Sequence, residues 1–109
     1  MVKFNDSRLN LAFGALAHPI RRGILASLAN GDATITELAR PFKVSAPAIT
    51  KHMRILEDAG LLSRKKRGRE HHCRLEQRRM KEAEAWIEHH RKFYDDRLDA
   101  LEQFLKENP

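Results

Sequence analysis

The 109-residue sequence predicts a mainly α-helical fold with one small β-hairpin inserted between a fourth and a fifth helix. Three observations predict it. From Val44 to Glu70 a capped amphipathic helix runs into a strongly basic hairpin. The positive charge sits almost wholly in the first two-thirds of the chain. The last third, about Arg78 to Lys106, has no Gly or Pro and repeats apolar residues at helical spacing.

Taken in order, Asp6 or Ser7 can cap a first helix, placed at residues 8–17, with Leu9, Ala12, Phe13 and Leu16 on its apolar stripe. His18-Pro19 ends that helix and starts a second, because the residue before proline is driven out of the helical region. The second helix, about Pro19 to Ala29, buries Ile20, Ile24, Leu25 and Leu28 and stops at Asn30-Gly31. Arg21 and Arg22 fall in its first turn, where the helix dipole disfavours cations. An acidic partner or a phosphate would explain them, and so would simple exposure. Thr34 and Glu37 have the spacing of a capping box, which opens a third helix ending near Pro41-Phe42.

The fourth helix has Ser45 as N-cap and Pro47 in its first turn, where a missing N–H costs nothing. Ile49, Met53 and Leu56 make its inner face, and Gly60 follows its last turn. Its other side offers Ala46, Thr50, Lys51 and Arg54, with His52 on the flank. Short and cationic groups at the front of a helix suit base edges and phosphates. Two helices joined by a short turn, the second cationic outside, form a helix-turn-helix, here residues 34–59. Leu61 to Lys66 and Arg69 to Leu75 read as strands around an Arg67-Gly68 turn, so residues 61–75 make the hairpin. That turn predicts Lys66 opposite Arg69 and Leu62 opposite Cys73, with Leu62, Cys73 and Leu75 on the buried face. Arg64, Lys65, Lys66, Arg67 and Arg69 give the hairpin its charge.

The fifth helix, residues 78–106, carries one stripe of Ile87, Tyr94, Leu98, Leu101 and Leu105, and a second of Trp86, Phe93, Ala100 and Phe104. That arc is wider than one small domain covers. A second copy is the simplest cover, so we expect a homodimer through the first and last helices. Its expected contacts are Leu9, Phe13, Leu16, Tyr94, Leu98, Leu101 and Leu105.

Up to Leu75 the chain holds 14 Lys and Arg against 6 Asp and Glu; from Glu76 on it holds 7 against 9, for a net charge of +6. The basic surface therefore belongs to the helix-turn-helix and hairpin, and the C-terminal helix has another task. With 41% hydrophobic and 33% charged residues the chain is globular, and we read it as a single domain over 1–109. No apolar run suffices to span a bilayer, no signal peptide is read, and a lone cysteine fits a reducing cytoplasm. Enzyme signatures are missing: there is no phosphate loop, nucleophile elbow or carboxylate pair.

The order of these elements is that of a winged helix-turn-helix, and the sequence resembles the ArsR/SmtB family of bacterial transcriptional repressors. The resemblance rests on LAHPIRRGILASL (Leu16 to Leu28), TITELARPFKVSAPAITKHMRILEDAGLL (Thr34 to Leu62) and RKKRGREHHCRL (Arg64 to Leu75). It implies that Ser45, Ala46, Pro47, Thr50, Lys51 and His52 face the DNA major groove. It also implies that the hairpin, as the wing, reaches phosphates or the minor groove, and that the chain dimerises through its first and last helices. The function implied is a homodimeric repressor on an inverted-repeat operator in double-stranded DNA. An effector- or metal-responsive sensor and a non-specific architectural protein are the alternatives.

The family's sensor residues are not matched. Thr34-Ile35-Thr36-Glu37-Leu38 stands where metal-sensing members carry C-x-C-D-L, and hydroxyls bind soft ions poorly. The last helix has Asp95, Asp96 and Asp99 but no His after His90, and redox sensing needs a second cysteine. His71 and His72 are neighbours on a strand and point to opposite faces, and Cys73 reads as a small core residue. We therefore expect no metal site and no cofactor, and no effector can be named.

Overall fold

The computed structural model describes residues 3–108. Five helices and three strands follow in the order α1 (Asp6–Leu16), α2 (Pro19–Leu28), β1 (Ala33–Thr34), α3 (Ile35–Ala39), α4 (Ala46–Asp58), β2 (Leu62–Arg67), β3 (Glu70–Leu75) and α5 (Gln77–Glu107). The mainly α fold with a hairpin before the last helix is as the sequence predicts.

Local chemistry sets most helix ends. Asn5, rather than Asp6 or Ser7, caps α1: its Oδ1 accepts from the Arg8 N–H at 2.9 Å. Asp6 then lies in the first turn, where the dipole favours a carboxylate. His18 is the extended N-cap of α2, and its Nδ1 accepts from the Ile20 N–H at 3.1 Å. The capping box of α3 is formed in both directions by Thr34 and Glu37. Its hydrogen bonds from the Thr34 backbone and side chain hold the Glu37 carboxyl below the usual range. Helix α4 closes on a Schellman motif: Leu61 N–H donates to Leu56 O at 3.0 Å, Gly60 N–H to Glu57 O at 2.9 Å, and Gly60 has φ +72°.

Arg21 and Arg22 have no acidic partner among the described residues, and they are not idle on the surface. Arg21 donates to Ala15 O and Gly14 O, and Arg22 to Leu16 O, which satisfies the open carbonyls of the last turn of α1. The negative end of one helix dipole thus offsets the unfavourable placement at the positive end of the next.

The sheet differs from the expected hairpin in two respects. Its order is β1-β3-β2, because Ala33 and Thr34 pair with Cys73 and His72. The turn is Gly68-Arg69 instead of Arg67-Gly68, so Arg67 faces Glu70, Arg64 faces Cys73 and Leu62 faces Leu75. Gly68 has φ +64° and no non-glycine residue among those described has positive φ. Those are the φ signs of a II′ turn, which wants glycine first. The pairing moves by two residues, which preserves the faces; a shift of one would have inverted them. Leu62 and Cys73 are accordingly buried and Leu75 is half-buried against the same core.

That core gathers Ile24, Leu38, Ile49, Met53, Leu56, Leu61 and Cys73, each at most 1% exposed. Helix α1 packs on α2, α4 and α5. The 31 residues of α5 span about 46 Å at 1.5 Å each. Their far half projects beyond the core, so the radius of gyration is 18.9 Å where a compact chain of this length has about 13 Å. Ala83 is the one residue of α5 that is fully buried.

Candidate nucleic-acid interface

Helix α4 is held by its apolar face, which leaves its front and outer face open. Ser45 Oγ accepts from the Ala48 N–H at 3.3 Å, and Pro47 lies in the first turn. Ser45, Ala46, Pro47, Thr50, Lys51 and Arg54 are all exposed. The last three follow one side of the helix, a hydroxyl and two cations directed at whatever lies in front of it.

His52 is placed differently from expectation. Its ring is half-buried toward α2, 4.4 Å from the His18 ring, with Nδ1 3.2 Å from Arg21 Nη1. Burial, then the neighbouring His18, Arg21 and Lys51, hold its pKa below the ordinary value. The helical angle explains the turn inward: His52 lies three residues after Ile49 and four before Leu56, on the flank of the buried face, and the α2 N-terminus fills that flank.

Lys65, Lys66, Arg67 and Arg69 are exposed on the wing. Arg64 is not free in the same way, because it is half-buried and its Nη2 donates to Glu57 Oε1 at 3.2 Å. It ties the wing to α4. Thr50 of α4 and Arg64, Arg69, Glu70 and His71 of the wing line one groove, together with Thr34, Ile35 and Thr36. The fold therefore brings Thr50 of α4 beside one face of the wing.

Arg74 lies beyond the basic cluster that the sequence marks out, which ends at Arg69. It pairs with Ser63 and lines a depression with Lys65, Arg67 and His72 on the solvent face of the hairpin, which Asp32 and Glu76 also line. Strand alternation carries that signal once the register is known. His72 Nε2 is 3.3 Å from Glu70 Oε2, and burial pushes the Cys73 thiol up. Among the described residues no three His, Cys, Asp or Glu side chains gather as a metal site.

Of the expected dimer residues, Tyr94, Leu98, Leu101 and Leu105 are between 53% and 63% exposed. Phe13 and Leu16 are half-buried, Phe13 edge-on to Trp86 at 5.6 Å. Leu9 is already buried at 6% within the chain, and Leu11 is the open leucine of α1.

A short turn between α3 and α4, an open cationic helix and a basic hairpin beside it define a winged helix-turn-helix protein. The model of a helix-turn-helix domain family matches residues 16–64. The transcriptional repressor SdpR of Bacillus subtilis is 38% identical over 60 residues, which cover 55% of this chain and 67% of that one. The crystal structure of an ArsR family transcriptional regulator superposes with TM-score 0.81 at 37% identity, over 87% of this chain and 97% of its own. An ArsR-like transcriptional regulator from Rhodococcus sp. RHA1 gives 0.80 at 30% identity, over 94% of each. The chain belongs to the ArsR family of transcriptional regulators, which are DNA-binding proteins and not enzymes.

Proposed function

We propose that this regulator binds an inverted-repeat operator in double-stranded DNA as a homodimer and represses transcription by occupying the promoter. The observation that carries the reading is the groove that Thr50 of α4 shares with Arg64 and Arg69 of the wing, beside the exposed Lys51 and Arg54 of α4. Ser45, Ala46, Pro47 and Thr50 are assigned to base edges. Lys51, Arg54, Lys65, Lys66, Arg67 and Arg69 are assigned to phosphates, where each neutralised charge releases counterions. Arg64 acts mainly by holding the wing to α4, and His52 by supporting α4 from behind.

Seven large apolar residues of α5, from Ile87 to Leu105, are at least half exposed. Such a face on a regulator of this size calls for cover, and a symmetry mate supplies it through the same stripe. Two copies set their recognition helices about one turn of DNA apart, which an inverted repeat matches. Repression follows the activity named for the relative SdpR. A cytoplasmic protein needing no cofactor fits this role.

The test is fluorescence anisotropy of the purified chain on duplexes from its own upstream region and on a scrambled control, at two salt concentrations. Tight binding to the upstream duplex alone is expected. Equal, salt-sensitive binding to both would remove the operator-specific part of the reading. Light scattering at micromolar concentration should give the dimer mass, and a monomer would remove the homodimer.

A further inference from the structure

The guanidinium of Arg21 joins three elements. From the first turn of α2, its Nε donates to Ala15 O at 2.7 Å and its Nη2 to Gly14 O at 3.1 Å, at the end of α1. Its Nη1 lies 3.2 Å from His52 Nδ1, in the middle of α4. Arginine has donors only, so His52 Nδ1 must accept and the ring proton must sit on Nε2. The His18 ring stacks 4.4 Å from it, tilted 49°, with its own Nδ1 committed to the Ile20 N–H.

We propose that Arg21 and His52 are positioning residues for DNA recognition: with His52 neutral they brace α4 against α1, and a proton on His52 opens the brace and weakens operator binding. The proposal rests on reading α4 as the recognition helix. A proton on Nδ1 would set an N–H against the N–H of Arg21, losing the hydrogen bond and adding a like charge. No described residue nearby would offset that charge. Helix α2 presents His18 and Arg21, α4 itself presents Lys51, and α1 presents only the Gly14 and Ala15 carbonyls already taken by Arg21. In the dimer α1 belongs to the interface and α4 to the groove, so the brace sets the angle at which each half-site is met.

The sign of the effect separates it from ordinary electrostatics. Protonating histidines on a basic protein adds cations and tightens DNA binding. The brace predicts the reverse. Anisotropy on the upstream duplex, from about pH 8 to about pH 5.5 where histidine titrates, would be run on the full chain, His52→Gln and Arg21→Lys. Wild-type affinity is expected to fall severalfold on acidification, toward the limit of about tenfold that one unit of pKa difference between free and bound protein sets once the pH lies below both values. Glutamine can accept from Arg21 without titrating, so His52→Gln should lose the acid weakening, measured against its own affinity at neutral pH. Arg21→Lys, with one compact donor group in place of the fork, should bind more weakly at every pH. A wild type that tightens on acidification in parallel with His52→Gln overturns the proposal.

If no duplex is bound, the DNA reading fails and the brace is judged by histidine NMR alone, which needs neither variant to fold. His52 Nδ1 should show an unprotonated acceptor shift at neutral pH, and the Lys51 and Met53 amides should move with the His52 titration. A titration that leaves those amides unmoved overturns the brace.

Discussion

Leu98 tests the proposed interface with least disturbance to the fold. It is 62% exposed in the single chain and lies on the outer stripe of α5. Burying a whole leucine side chain is worth about 2 kcal/mol, so the part still open contributes about 1.2 kcal/mol per copy when a partner covers it. A two-fold interface counts each residue twice, so Leu98→Ala should weaken the dimer by about 2.5 kcal/mol, roughly sixtyfold in Kd. Alanine is the better helix former, so α5 itself should not suffer. Sedimentation equilibrium across micromolar concentrations reads the shift. Leu9→Ala is the contrast, because Leu9 is buried within the chain: it should lower folding stability by about 2–5 kcal/mol. An unchanged association curve for Leu98→Ala, or one that moves only as far as the melting curve does, would refute the reasoning.

Three further outcomes are expected. Gly60→Ala should cost about 1–2 kcal/mol in chemical denaturation, since φ is +72° and the new Cβ would meet Arg79 Cγ at 2.8 Å. Lys66→Ala with Arg67→Ala should weaken all duplexes alike and lower the slope of log affinity against log salt by about four, two cations being lost from each of the two wings of the dimer; weakening confined to one sequence would contradict the phosphate role. Glu37, held below its ordinary pKa of 4.5 by its bonds to Thr34, contributes stability that is complete above that value and is lost as pH falls through the lowered one. Thr34→Ala should flatten that acid limb in melts recorded between about pH 6 and about pH 3, while removing a cap worth about 1 kcal/mol.

The legible part of the site was the part written in consecutive residues. Ser45, Pro47 and Gly60 mark the ends of α4, and Ile49, Met53 and Leu56 orient it, so Thr50, Lys51 and Arg54 could be placed on its open face from spacing alone. His52 could not. At its angle on the helix it could belong to either face, and the α2 N-terminus took it inward. Arg64 reads in sequence like its basic neighbours, but its strand position sets it opposite Cys73 and within reach of Glu57. Arg74 lay outside the basic run and came beside Lys65 and Arg67, on the solvent face of the hairpin, only through pairing.

Helix content, the order of elements, the basic hairpin and the unspent apolar face of α5 were determined by the sequence itself. Caps, prolines, glycines and periodicity act within one or two turns, so their consequences are local and additive. Tertiary structure decided what depends on distant partners. Two residues at Ala33 and Thr34 became a strand because the edge of β3 was free. The hairpin turned at Gly68-Arg69 because glycine suits the first position of that turn. Arg21 found its role only once the end of α1 was folded beside it, where three acceptors converge on a group that had no partner along the chain.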